Sequence, residues 1–216
     1  SNVPGNYELE FSVNDGELTT TEIISVWVTP DAEIKILPLG DSITEGLSVL
    51  DDMTGNIVSL QSYRYRLWQK LLDAGSNFDF VGNNNTTLFG DNPPPEFPDY
   101  LDQTFDPDHE GHSGITADGL LSVLPALQIQ YDADLVLLHI GSNDMLRGVI
   151  NELPTESVGS TIVEIGEIID TLRSENPVVT ILLATPIPSI HDTKLPELQA
   201  KIRTLATATS TAQSKV

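Results

Sequence analysis

The chain has 216 residues, enough for one full domain or a domain with part of another, and 39% of them are hydrophobic, enough to build a sizeable core. Its 10 Lys and Arg stand against 32 Asp and Glu, a formal net charge of −22, so a phosphate backbone or an anionic lipid surface is repelled and neither nucleic acid nor a membrane surface is expected as a partner. Cysteine is absent, which removes disulfides, thiolate catalysis and Cys-bearing zinc sites, and no apolar run nears the ~18 residues of a membrane span.

The opening Ser1-Asn2-Val3-Pro4-Gly5 carries no secretory signal and reads as a cut made inside a longer protein. Tyr7, Leu9, Phe11 and Val13 alternate with polar neighbours, and Ile24, Val26 and Val28 alternate again beyond Asn14-Asp15-Gly16, so residues 1–30 read as two strands joined by a turn, with a linker at Thr29–Glu33. Two strands cannot stand alone in water. One reading makes them the last hairpin of a β-sandwich module, resembling the ends of Ig-like or cadherin-like repeats; the other makes them an N-terminal hairpin of the main domain.

From residue 31 to 216 the pattern becomes strands alternating with helices. Ile34–Leu39 is an apolar strand ending at Gly40, and Tyr63–Ala74 is a helix stopped by Gly75. Phe78–Val81 is a strand. A long stretch from Asn83 to His112 is rich in Asn, Pro, Asp and Gly; within it Asp91–Tyr100, with Pro93-Pro94-Pro95 and Phe97, is read either as a rim facing substrate or as a solvated loop. Thr116–Leu127 follows as helix, Leu135–Ile140 as strand, a helix striped by Ile162, Ile165, Ile168, Ile169 and Leu172, the strand Val178–Ala184 and the helix Leu195–Ser210. Strands this apolar are covered on both faces, which with βαβ alternation means a parallel sheet between helix layers. Ligands bind such sheets at the carboxyl ends of the strands, and three loops there hold unusual residues.

The first is Gly40-Asp41-Ser42-Ile43-Thr44, the second His109-Glu110-Gly111-His112-Ser113-Gly114, the third Gly141-Ser142-Asn143-Asp144. Acyl transfer needs a nucleophile beside donors aimed at a developing oxyanion. Ser42 offers the hydroxyl, Gly114 a backbone N–H that no side chain obstructs, and Asn143 a side-chain amide. Gly111-His112-Ser113-Gly114 is not a nucleophile elbow, because Ile115 stands where that motif requires glycine.

These three blocks resemble those of the SGNH (GDSL) hydrolase superfamily. With Tyr65-Arg66-Leu67-Trp68 and Asp108–Gly114 they are similar to carbohydrate esterase family 3, the acetylxylan esterases, over roughly residues 34–190. The resemblance implies an α/β, flavodoxin-like three-layer sandwich with a central parallel sheet. It implies Ser42 as nucleophile, an oxyanion hole from the Ser42 and Gly114 N–H groups with the Asn143 amide, no cofactor, and a secreted, multidomain bacterial enzyme that deacetylates polysaccharide.

The superfamily's Asp-x-x-His block is not found after Ile187-Pro188, so the expectation is a domain truncated at its carboxyl end. Without its base a serine hydroxyl is a poor nucleophile. Four histidines are weighed in its place. His191, beside Asp192 after the fourth strand, is the candidate substitute base; His112 is read either as bordering the acyl pocket and binding substrate or as a structural residue hydrogen-bonded to the backbone. His109 closes an Asp-x-x-His spelling (Asp106 to His109) out of family order and is a loop element, and His139 is a satisfied core residue. Asp41 and Asp144 are expected as hydrogen-bonded loop formers, Arg64 and Arg66 as partners of surface acids. No Asp-x-Asp-x-Asp-Gly loop exists, so no metal is assigned. Two functions follow: a serine esterase removing acetyl groups from carbohydrate, with a lipase or thioesterase as its variant, or a carbohydrate-binding or adhesion module on a catalytically incomplete scaffold. Oligomeric state is left open.

Overall fold

The structure is a computed structural model that describes residues 5–14, 19–28, 32–50, 57–60, 62–86, 97–128, 131–150, 156–188 and 193–216. β1 (Gly5–Asn14) and β2 (Thr19–Val28) form an antiparallel hairpin, Tyr7 opposite Val26, and make a sheet of their own.

β3 (Ile34–Gly40) is followed by the short helix α1 (Ser42–Glu45), and β4 (Leu47–Leu50) pairs antiparallel with β5 (Ile57–Leu60). α2 (Tyr63–Asp73), β6 (Phe78–Phe80), β7 (Glu110–Gly111) and α3 (Ala117–Gln128) come next. β8 (Leu135–His139), α4 (Ser142–Ile150), α5 (Val158–Glu175), β9 (Thr180–Leu183) and α6 (Leu195–Thr209) complete the order. The central sheet runs β6-β3-β8-β9, all parallel, and β7 continues along β3 beyond the end of β6.

Successive residues of a strand face opposite sides, and that period divides the interior in two. Leu37 and Leu39 of β3 and Val136 and Leu138 of β8 face one core, closed by Ala117, Leu120 and Leu124 of α3, Ile165 and Ile169 of α5, and Leu198 and Ile202 of α6. Ile36, Leu135 and Leu137 face the other, closed by Tyr65 and Trp68 of α2 with Phe80 and Phe105. The result is three layers, helix–sheet–helix, as the alternation of strands and helices implies.

The structure departs from the sequence reading in the loops. The β4–β5 hairpin was not anticipated, because its two strands are only four residues each. The stretch after β6 is not plain loop: Asn84 bridges to His109, and Glu110–Gly111 join the sheet. Of the stretch read as a rim or a solvated loop, Phe97 and Tyr100 are half-buried and pack on aromatic side chains. Phe97 stacks on Phe105 at 4.9 Å and meets Tyr65 edge-on at 5.2 Å, and Tyr100 lies 6.4 Å from Trp68. Aromatic area next to an open core is worth more buried than hydrated. Pro93-Pro94-Pro95 lie outside the described residues.

Candidate active site

Register places the three loops together. Gly40, the last residue of β3, pairs with Gly111 of β7 on one side and His139 of β8 on the other. The segments that begin at Asp41, His112 and Ile140 therefore leave one edge of the sheet side by side.

Asp41 turns the first segment into α1. Its carboxylate accepts the Ile43 N–H at 2.9 Å and its carbonyl accepts those of Thr44 and Glu45 at 3.0 and 3.1 Å. This is the N-cap role expected of it. Ser42 is the first helical residue, half-buried, with a backbone N–H that has no intrahelical acceptor.

The second loop is pressed against the first. A Cβ on Gly111 would lie 2.4 Å from the Glu45 nitrogen, so only glycine permits the approach. The Glu45 carboxylate then holds Ser113, accepting its N–H at 2.7 Å and its hydroxyl at 2.5 Å on the same oxygen. Gly114 follows with φ +77, and the space where its Cβ would stand is open. The turn closes with the Ile115 N–H on the His112 carbonyl at 3.1 Å. The third loop joins here: the Asn143 amide donates to the Ile115 carbonyl at 2.9 Å, which leaves its second N–H for another acceptor. Two of the three loops expected to supply oxyanion donors are thus tied to each other.

Arg64 corrects an expectation. Among the described residues it pairs with no surface acid; it is only 2% exposed and its guanidinium donates to the carbonyls of Thr44 (2.9 Å), Glu45 (3.0 Å) and Pro107 (2.6 Å). One planar fork thereby gathers the end of α1 and the approach to β7. Burial pulls its pKa down to about 10, and it stays a cation at neutral pH. Arg66 is exposed and donates to Gln69 at 2.9 Å, and among the described residues it pairs with no acid.

The histidines separate clearly. His109 is 0% exposed; its Nδ1 accepts the Gly111 N–H at 2.9 Å and its Nε2 donates to the Thr86 carbonyl at 2.9 Å. Both ring nitrogens are used, and burial, with the Arg64 charge, lowers its pKa to about 3, so it is the structural loop element expected. His112 gives its Nε2–H to Glu110 at 2.8 Å, with the side chain 31% exposed. Glu110 is buried and accepts also from the Tyr131 hydroxyl (2.5 Å) and the Asn83 N–H (2.7 Å). Burial alone would raise its pKa, yet the bonds from His112, Tyr131 and Asn83 hold it below the usual carboxylate value. His139 is buried as expected but not satisfied: neither ring nitrogen has a hydrogen-bond partner, and Nδ1 stands 3.7 Å from Asp41 Oδ1. His191 lies outside the described residues.

Asp144 is hydrogen-bonded as expected, but it lies in the first turn of α4 and not in a loop. Its Oδ1 accepts the Ala117 N–H at 3.0 Å and ties α4 to the start of α3; burial raises its pKa to about 6. Glu45, Arg64 and Glu110 were missed as site residues. Only Arg64 carried a signal, standing four residues before Trp68 and so on the same, buried face of α2.

The sequence profile of the GDSL-like lipase/acylhydrolase family matches residues 39–215. No curated protein matches the sequence. Among solved structures, an acetyl esterase mutant with an acetate ion superposes with TM-score 0.65 at 25% identity, over 85% of this chain and 77% of that one. A carbohydrate esterase family 3 protein from Talaromyces cellulolyticus gives 0.65 at 27% identity over the same shares. A family 3 carbohydrate esterase from Clostridium thermocellum gives 0.60 at 27%, over 82% and 72%. With its parallel sheet, its serine block and its profile match over most of its length, the chain belongs to the GDSL-like lipase/acylhydrolase family.

Proposed function

We propose that the protein is a serine esterase that removes acetyl groups from carbohydrate. The observation that carries this reading is the strand register that brings the loops of Ser42, Gly114 and Asn143 to one end of the sheet, in a chain similar to acetyl and family 3 carbohydrate esterases. The Ser42 oxygen adds to the acetyl carbonyl while its proton leaves to a base. Negative charge then grows on the former carbonyl oxygen, where the N–H groups of Ser42, Gly114 and Asn143 supply fixed donors. The sugar alkoxide departs with a proton, and water hydrolyses the acetyl-serine. An exposed ester of a polysaccharide suits a site made of surface loops; on this reading the protein works outside the cell on plant or similar glycans.

A second reading, a carbohydrate-binding module on this scaffold, is favoured by one observation. Among the described residues no histidine is hydrogen-bonded to the Ser42 hydroxyl. Hydrolysis of p-nitrophenyl acetate by the chain and by Ser42→Ala, His112→Gln and His191→Gln decides between them. The esterase reading expects turnover that Ser42→Ala lowers by roughly 10⁴-fold or more. Equal rates in wild type and Ser42→Ala, with acetylated xylo-oligosaccharide bound and released intact, establish the binding module instead. Faster cleavage of p-nitrophenyl palmitate than of the acetate assigns the lipase variant.

A further inference from the structure

Behind Asn143, three acids from separate positions converge: Asp144 at the start of α4, Glu156 just before α5, and Glu164 within α5. One carboxylate oxygen from each lies within 4.8 Å of the others. Asp144 is 1% exposed; Oδ1 is occupied by the Ala117 N–H and, at 3.5 Å, the Thr161 hydroxyl, whereas Oδ2 is buried without any hydrogen-bond partner. Glu156 Oε2 and Glu164 Oε2 are buried without a partner as well. A buried carboxylate oxygen with no donor forgoes several kcal/mol of hydration unless something positive replaces the water. Here three acids, each with one such oxygen, bring their carboxylates together in one small space.

We propose that Asp144, Glu156 and Glu164 bind one divalent cation of the calcium class, which clamps the start of α4 to α5. Calcium takes carboxylate oxygens at ~2.3–2.6 Å, so two ligands on opposite sides of the ion stand ~4.6–5.2 Å apart. Oxygens within 4.8 Å of one another fit around such an ion with little movement, and water completes its shell. The remaining charge carriers at the cluster are Asp118, which adds repulsion, and Lys194, whose ammonium donates to the Glu156 carbonyl at 3.3 Å. The alternative to an ion is a proton: burial, then the nearness of Glu156, raises the Glu164 pKa to about 7. The inference concerns a site apart from Ser42 and owes nothing to the esterase reading.

Protein stripped with EDTA is titrated with calcium by calorimetry, and its melting temperature is compared in EDTA and in calcium. Glu164→Gln and Glu167→Gln, the latter at an exposed position of the same helix, are run beside wild type. The expected result is saturable binding of one ion per chain and a rise of roughly 5–10 °C at a hundredfold excess over Kd. Glu167→Gln keeps both, and Glu164→Gln loses both. A calcium shift no larger in wild type than in Glu164→Gln, which general screening of the −22 charge would give, overturns the site. So does a wild type that ignores calcium but melts higher at pH 6 than at pH 8, which assigns a shared proton instead. Because Gln removes one buried charge without removing volume, Glu164→Gln keeps the fold in which the comparison is made.

Discussion

At the scale of single residues the site is held by groups that do not react. Glu45 binds Ser113 through two hydrogen bonds on one oxygen, and Ser113 is the residue before Gly114. Bonds to a charged acceptor are the strong ones, ~1.5–3 kcal/mol each, so losing both frees the turn that carries the Gly114 N–H. Glu45→Ala is expected to lower kcat for p-nitrophenyl acetate by roughly 10- to 100-fold with KM little changed, since the donor acts on the transition state more than on the bound ester. Glu45→Gln keeps an acceptor oxygen at the same reach and is expected to restore most of the rate. Steady-state kinetics on the two variants checks this; equal losses in both would mean that the charge itself is required. Arg64 works by the same logic through three carbonyls, which is why so buried a cation is tolerated without a carboxylate partner.

At the scale of elements, the strands and long helices follow from local pattern. Apolar runs of four to seven residues became β3, β8 and β9, and the isoleucine stripe became α5 with Ser157 as its cap, accepting the Ser160 N–H at 3.0 Å. What pattern did not supply was the partner of each short element. Glu110 and Gly111 become a strand only because Leu39 and Gly40 lie beside them, some seventy residues away in the chain. Phe97 and Tyr100 look like loop residues in sequence and become partly buried against the core because Trp68 and Phe105 face them. The β1–β2 hairpin is the opposite case, legible in sequence and paired only within itself, with Ile23 exposed. Removing residues 1–31 is expected to leave the melting temperature of the remaining chain within about 2 °C of the parent, since among the described residues the two cores draw on nothing before Ile34. A fall beyond 5 °C by calorimetry would make the hairpin part of the hydrolase domain.

For the whole molecule, several buried groups carry pH dependence of opposite sign. His109 has a pKa of about 3 in the fold against an ordinary 6.5, so the folded state holds it neutral while the unfolded chain takes up a proton below pH 6.5. Its contribution to stability is complete above pH 6.5 and is lost as pH falls toward 3, at about 1.4 kcal/mol per pH unit. Asp144 and Glu164, with raised values, act in the opposite sense, so the informative quantity is a difference between two chains. Urea unfolding at pH 6.5 and pH 5.0 is expected to show wild type losing about 2 kcal/mol more than His109→Gln. An identical loss in both would show that His109 is protonated within the fold. The sequence by itself determined the layer order, the two-faced strands and the three loops, because periodicity and turn chemistry are written in neighbouring residues. It also marked Ser42, Gly114 and Asn143, whose residue types suit an acyl-transfer site wherever they meet. Only the tertiary structure decided that Glu45 grips Ser113, that Arg64 is buried among carbonyls, that His139 lacks partners, and that three acids converge behind Asn143. Those outcomes depend on backbone groups and distances set by strand register, and a carbonyl oxygen looks the same at every position of a sequence.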